Sequence, residues 1–372
     1  MLGMYVHIPF CASKCAYCDF LSFAGQRTSI PPYITALHGE LQGYAKLYAK
    51  TPLQTVFFGG GTPTTVPAPL LAETLAHIAQ LFPIALGAEI TIEANPETAD
   101  YDALRTLHQA GFNRISFGVQ SFDNAILRRI GRIHTAEAAE RAITNARQAG
   151  FQNINLDLMF GLPNQTEADW RYTLDTAIAL DPEHLSCYSL IVEDGTPLAQ
   201  ESNLALPGEE ADRLMYHLAK ERLAAADYIQ YEISNFAKPG YASHHNTMYW
   251  TGGDYIGAGL GAHSLLGDRR ICNTTELPRY LAGDFGRETL ESLSDTDRQS
   301  EFMILGLRMT DGVSISDFQN RFGRALMRVF GPTIDGFIRD GLLTLDGDRL
   351  RLTPRGVDIS NIVFAEFLSA NV

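Results

Sequence analysis

Apolar positions along the first 230 residues alternate between two rhythms. Short runs rich in β-branched or aromatic residues occur at 4–8 (MYVHI), 54–58 (QTVFF), 89–94 (EITIEA), 112–119 (FNRISFGV), 151–160 (FQNINLDLMF) and 184–191 (HLSCYSLI). Between them lie stretches with helical spacing, such as PPYITALHGELQGYAKLYAK (31–50), APLLAETLAHIAQLF (68–82) and ADYDALRTLHQAG (99–111). The tetrapeptide Gln-Ala-Gly-Phe occurs at 109–112 and again at 148–151. Each time its glycine stands where a helix has to end before a strand, since glycine enters the left-handed conformation without a side-chain clash. Strands alternating with helices predict a parallel sheet with right-handed crossovers. Six such units predict an α/β fold of the partial (β/α)6 barrel kind, with a doubly wound sheet as the alternative.

Two further textures follow. Residues 231–290 are rich in Gly, Tyr, His and Asn, have little periodicity, and read as a connecting segment. From 291 to 372 amphipathic stretches (DRQSEFMILGLRM, SISDFQNRFG, MRVFGPTIDGFIRDG) precede LLTLDGDRLRLT, which predicts a hairpin around Asp346-Gly347, and PRGVDISNIVFAEFL closes the chain as a helix. Helices with a hairpin wing predict a small winged-helix-like domain, a packing module as often as a DNA binder.

The charge balance bears on that choice. The 372 residues hold 43 acidic and 29 basic side chains, a formal charge of −14, which argues against tracking nucleic-acid phosphates or anionic lipid. No window approaches the ~18 uninterrupted apolar residues of a membrane span, and MLGMYVHIPF lacks the features of a signal peptide. A cytoplasmic address is the expectation.

Candidate chemistry gathers in the turns after the strands, where parallel barrels build their sites. Cys11, Cys15 and Cys18 follow the first run, Gly59-Gly60-Gly61-Thr62-Pro63-Thr64 the second and Glu93-Ala94-Asn95-Pro96 the third. Gln120 follows the fourth, and Asp157 lies near the end of the fifth. Five cysteines, three of them within eight positions, do not make a disulfide framework; in a reducing compartment they read as metal ligands or redox groups. Each iron of a cubane cluster takes one terminal thiolate. Three thiolates leave one iron open, and an open position is what keeps a metal site reactive. That iron would take a small chelating ligand with nitrogen and oxygen donors, which a glycine triplet could hold through its backbone.

Cys11-x3-Cys15-x2-Cys18, with Tyr17 before the last cysteine, resembles the signature of the radical S-adenosylmethionine superfamily. YVHIPFC, FFGGGTPT, EANPE, ISFGVQSF, DLMFGLP, EISNFAKPG and YIGAGLGAHS resemble its coproporphyrinogen III dehydrogenase group over nearly the whole chain. That resemblance implies a [4Fe–4S] cluster on the three cysteines and S-adenosylmethionine lined by Tyr5, Tyr17, Gly60, Gly61, Thr62, Glu93, Gln120, Arg132 and Asp157. Glu93 and Gly60 would meet the cofactor's ammonium end, Asp157 a ribose hydroxyl or the ammonium, and Arg132 a carboxylate. Zinc, with His7 as fourth ligand, is the competing metal reading.

Within the group, the anaerobic oxidases carry a fourth cysteine two residues after Cys18 and a longer arm before the loop. Here Phe20 stands at that position, and ten residues precede Cys11. Both departures resemble the haem chaperone branch, the HemW type, in which HNxxYW is associated with haem. The segment stands here as His245-Asn246-Thr247-Met248-Tyr249-Trp250, although Ser243 occupies a position where the branch often has cysteine. An imidazole suits haem iron, so His245, Tyr249 and Trp250 are the expected haem residues. The expected partners are haem or a porphyrin and an apo-haemoprotein acceptor, with a homodimer left open. The competing function is oxygen-independent oxidation of coproporphyrinogen III, in which a 5′-deoxyadenosyl radical takes a propionate hydrogen.

Overall fold

The computed structural model describes residues 2–369. The six expected strands form in order: β1 (Leu2–Ile8), β2 (Leu53–Gly60), β3 (Ile84–Ala94), β4 (Arg114–Gln120), β5 (Ile154–Phe160) and β6 (His184–Ser189). Each pairs in parallel with the next. The crossovers include α1 (Ile30–Tyr48), α2 (Ala68–Leu81), α3 (Tyr101–Ala110), α4 (Asn124–Arg129), α5 (Ala136–Ala149) and α6 (Glu167–Ala179). The repeated Gln-Ala-Gly-Phe does what its glycine predicts. Gly111 ends α3 at φ 113° and Gly150 ends α5 at φ 111°.

Alternation along the strands sorts residues between the two faces. Met4, Val6, Ile8, Val56, Phe58, Ile90 and Ile92 are buried in the main core beneath the helices. The intervening positions, among them Tyr5, Phe57, Glu93, Arg114, Ser116 and Asp157, face the concave side of the curved sheet. Helix α7 (Glu209–Ala225) follows β6, whose outer edge is finished by the antiparallel strands Asn235–Ala237 and Ile229–Gln230.

The segment 231–290 is more than a connector. Asp254–Ala258 pairs in parallel with β1, so seven strands run parallel, and antiparallel strands 263–266, 269–272 and 288–292 extend that side to an open edge. Periodicity missed this because the strands are short and are held by one buried carboxylate. Glu40 of α1, 0% exposed, accepts from the backbone N–H of Gly259 (2.8 Å), from Asn273 Nδ2 (2.6 Å) and from the Tyr280 hydroxyl (2.6 Å). Helix α8 (His244–Trp250) precedes these strands and α9 (Leu277–Leu281) follows 269–272.

The C-terminal part has its own core around Met303, Phe318, Phe330, Leu350 and Phe367. Its helices are α10 (Asp295–Gly306), α11 (Ile315–Phe322), α12 (Leu326–Arg339), α13 (Pro354–Asp358) and α14 (Ser360–Ser369). The expected hairpin pairs 343–346 with 349–352, with 313–314 as a third strand. The expected closing helix is divided into α13 and α14. Among the described residues no helix is long and apolar enough to cross a membrane.

Candidate cofactor cavity and the HNxxYW helix

One cavity of about 420 Å³ opens at the carboxyl ends of β1–β6. Its lining includes Cys11, Cys15, Cys18, Tyr17, Gly60, Gly61, Thr62, Glu93, Gln120, Arg132 and Asp157. Sequence reasoning therefore brings together all three thiols and eight of the nine residues expected around the cofactor. Tyr5 lies deeper on β1, its hydroxyl 3.0 Å from His7 Nδ1.

The cysteine loop is pinned by backbone hydrogen bonds from both sides. Ala16 N–H donates to Ile130 O (3.0 Å), and Leu198 N–H donates to Ala16 O (2.9 Å). Within the loop Cys18 N–H reaches Cys15 O at 3.3 Å. Arg132 Nη1 donates to Cys15 Sγ at 3.5 Å, and Nη2 donates to Gly118 O. Thus Arg132 faces the cluster loop directly. Two of the glycines are required by contact. Gly60 sits at φ 112°, and a Cβ there would fall 2.5 Å from the His7 ring. A Cβ on Gly61 would lie 2.8 Å from Phe10 O and 3.0 Å from Cys11 Sγ, so a side chain would fill the cradle beside the thiols.

Two carboxylates form the cavity floor. Glu93 Oε2 accepts from Gly60 N–H at 3.2 Å. Burial, and then the charge of Asp157, raise the Glu93 pKa to about 8, against the pull of Gly60 N–H and Arg114. Asp157 has the donors its apolar sequence context demands: Ser116 Oγ (2.8 Å) and Asn155 Nδ2 (2.8 Å). Burial still raises its pKa, with those donors and Arg114 opposing. Sequence reasoning passed over Ser116, Asn155 and Tyr188. The signal for the first two was period-two alternation, which puts Ser116 and Asn155 on the same face as Asp157.

His7 is committed on both sides, to Tyr5 through Nδ1 and to Leu21 O through Nε2 (2.9 Å). A zinc ion on His7 would have to displace one of these two contacts. The remaining cysteines lie elsewhere, Cys187 in the core and Cys272 with Sγ 3.4 Å from His263 Nε2.

The structure buries the imidazole of His245, the residue expected to meet haem iron. His245 is 1% exposed, with Nδ1 2.8 Å from Thr55 Oγ1 and Nε2 2.9 Å from the Tyr249 hydroxyl. Its ring stacks on Phe57 at 5.0 Å. Burial, then Arg114, push its pKa down to about 3. Thr55 and Phe57 lie on the concave face toward the start of β2, so α8 closes the end of the barrel opposite the cysteines. Glu89 caps α8 by accepting from the N–H groups of His244 and His245, each at 3.0 Å. Tyr249 packs edge-on against Tyr255, and the Trp250 ring lies under the Arg308 guanidinium at 4.3 Å. Tyr249 and Trp250 are half-buried, while His244 is exposed.

The radical SAM superfamily model matches residues 5–177, and the HemN C-terminal domain model matches residues 293–359. Over 377 residues the chain is 38% identical to the heme chaperone HemW of Bacillus subtilis (strain 168), covering 99% of each chain. It belongs to the HemW group of radical SAM proteins. The HemW of Escherichia coli (strain K12) is 38% identical over 375 residues, covering 99% of this chain and 98% of its own. Among solved structures, the E. coli coproporphyrinogen III oxidase HemN, described as a radical SAM enzyme, superposes with a TM-score of 0.86 at 25% identity, covering 98% of this chain and 89% of that one. Membership in the HemW group brings a [4Fe–4S] cluster and S-adenosylmethionine, and the cavity fits both. It offers three thiols on a pinned loop, a glycine cradle beside them, and carboxylates beneath for a cationic ligand.

Proposed function

We propose that this protein is a haem chaperone that holds haem and delivers it to an apo-haemoprotein, on a scaffold that also carries a cluster and S-adenosylmethionine. The observation that carries this reading is identity of 35–38% over nearly the full length with several proteins named heme chaperone HemW. Phe20 supports it: 64% exposed at the cavity mouth, it stands where the oxidase pattern has a fourth cysteine.

Cys11, Cys15 and Cys18 would hold the cluster, which would supply an electron to bound S-adenosylmethionine. Gly60, Gly61 and Thr62 would receive the ligand through backbone groups, Glu93 and Asp157 would orient its cationic end, and Gln120 and Arg132 would close the cavity on the side of Cys15. Tyr5 would act from below. His244, beside the expected haem residues His245, Tyr249 and Trp250, is the imidazole open to solvent and would meet haem iron first, with those three holding the helix that presents it. The residue ranges 1–230, 231–290 and 291–372 serve as cofactor barrel, barrel extension with the haem-associated helix, and packing domain.

The competing enzyme reading has one observation in its favour, the likeness to the HemN structure. Anaerobic incubation of the reconstituted protein with S-adenosylmethionine and coproporphyrinogen III separates the two. The chaperone reading expects no decarboxylated product, and product formation would replace it.

A further inference from the structure

Beneath the cavity floor a chain of hydrogen bonds runs from Asp157 to the helix of the HNxxYW segment, and neither the cluster nor the haem reading uses it. Asp157 accepts from Ser116 Oγ and from Asn155 Nδ2, each at 2.8 Å. Asn155 Nδ2 also donates to Ser116 Oγ at 2.7 Å, so the amide oxygen of Asn155 faces away from the floor. On that side Oδ1 lies 2.5 Å from Nδ1 of His184, the register partner of Asn155 on β6. His184 Nε2 lies 2.8 Å from the Tyr231 hydroxyl, and the same hydroxyl accepts from the backbone N–H of Ser243 at 3.2 Å. Ser243 is the N-cap of α8, its Oγ accepting from Asn246 N–H at 3.3 Å, and His244 is the next residue. Asn155, His184 and Ser243 are each 2% exposed or less, so water does not compete for these bonds.

The end group fixes the direction of every link. An ionised carboxylate only accepts, so Asn155 offers it Nδ2 and turns Oδ1 to His184. His184 then carries its proton on Nδ1, and the neutral ring accepts at Nε2 from the Tyr231 hydroxyl. Every donor from Ser243 N–H to Asn155 Nδ2 points toward Asp157. The opposite arrangement follows when Asp157 takes a proton from solvent, which burial favours while no cationic ligand faces it. Its O–H is then a donor. The Asn155 amide turns over, the His184 proton moves from Nδ1 to Nε2, and the Tyr231 hydroxyl proton swings toward Ser243 N–H and weakens that bond. We propose that this chain couples the two sites: a cationic ligand on Asp157 keeps the donors aligned, firms the N-terminus of α8 and so tightens haem binding at His244, with His184 and Tyr231 as positioning residues. The proposal rests on the reading of Asp157 as a cofactor residue and of α8 as the helix that presents His244. The direction of the chain is the two-state element that both ligands bias. Coupling between binding sites is reciprocal, so haem tightens S-adenosylmethionine binding by the same factor.

The test is haem affinity of the cluster-reconstituted full chain, read by anaerobic Soret titration with and without saturating S-adenosylmethionine, for the parent, Tyr231→Phe, His184→Gln and His244→Ala. The parent should bind haem about five- to tenfold more tightly when S-adenosylmethionine is present. Anaerobic calorimetry should give the same factor for S-adenosylmethionine with and without haem. Tyr231→Phe removes the one hydroxyl that joins His184 to Ser243, and it should bring the factor close to one while each ligand still binds alone. His184→Gln should do the same, and should it not fold, Tyr231→Phe decides. A merely structural role for these residues would weaken both ligands and leave the factor as it is in the parent. A factor of one in the parent, or the parent's factor kept in Tyr231→Phe, would overturn the proposal. Haem uptake unchanged in His244→Ala would overturn the haem reading of α8 and the coupling with it, and that failure is told apart because it shows without any S-adenosylmethionine.

Discussion

His245 Nδ1 and the Thr55 hydroxyl lie 2.8 Å apart, across 190 positions of sequence. This contact seats α8 on the inside of β2, and with the His245–Tyr249 contact it makes the HNxxYW histidine a structural residue of the barrel. His245→Ala would strand the Thr55 and Tyr249 hydroxyls in a buried site. A loss of about 1–3 kcal/mol is expected, measured as a drop in denaturant midpoint at unchanged m-value. Haem uptake at low temperature should persist in this variant and fall in His244→Ala. Unchanged stability with loss of the Soret band in His245→Ala would mean that α8 opens to present His245.

The same imidazole gives a pH dependence. His245 is held near a pKa of about 3 in the folded chain, against about 6.5 unfolded. Below about pH 6.5 the unfolded state binds the extra proton, so stability falls as pH is lowered. Glu93, raised to about 8, acts oppositely: it favours the folded state at low pH and loses that contribution as pH rises toward 8. His245→Gln should therefore flatten the acid limb between pH 7 and 5 by about 1–2 kcal/mol and leave the alkaline limb alone. Denaturant titrations at several pH values check this, and an acid limb identical to the parent's would refute the buried neutral imidazole.

Cluster content should depend on three cysteines only. Anaerobic reconstitution should yield about four irons and four sulfides per chain, abolished by alanine at Cys11, Cys15 or Cys18. Cys187→Ala should cost stability alone because the side chain is packed in the core, and Cys272→Ala should leave iron unchanged. Stoichiometric zinc in freshly isolated protein, with no iron uptake, would contradict this.

The floor carboxylates make a matched pair. Glu93→Gln removes the carboxylate that accepts from Gly60 N–H, and Asp157→Asn sets an amide against the Asn155 and Ser116 donors. Each should weaken S-adenosylmethionine binding by roughly tenfold or more, the worth of a charge-assisted hydrogen bond of ~1.5–3 kcal/mol, with iron content unchanged. Calorimetry showing parent affinity in both variants would put the cofactor elsewhere.

Much of the site was legible because it is built from turns that follow strands. Once the runs at 4–8, 54–58, 89–94 and 151–160 are read as parallel strands, Cys11, Gly60, Glu93 and Asp157 must converge on one mouth. What pattern could not show were pairings between distant positions. Strand Asp254–Ala258 joins β1 through a register that begins Leu2 to Asp254, and its segment is tied down by Glu40, a carboxylate that reads as a solvated face of α1. The partners of His245 are likewise set by tertiary packing. Arg114 stands inside an apolar run, NRISFGV, and alternation alone aims it at the floor.

The central claim is haem delivery, and its most direct measurement is transfer. Reconstituted protein loaded with one haem per chain is mixed with an excess of an apo-haemoprotein such as apomyoglobin, and the Soret bands of donor and acceptor are followed. The account predicts haem uptake at about one per chain and release whose rate rises with acceptor concentration, as hand-over through a complex requires. Failure to take up haem, or release at a rate indifferent to the acceptor, would contradict it.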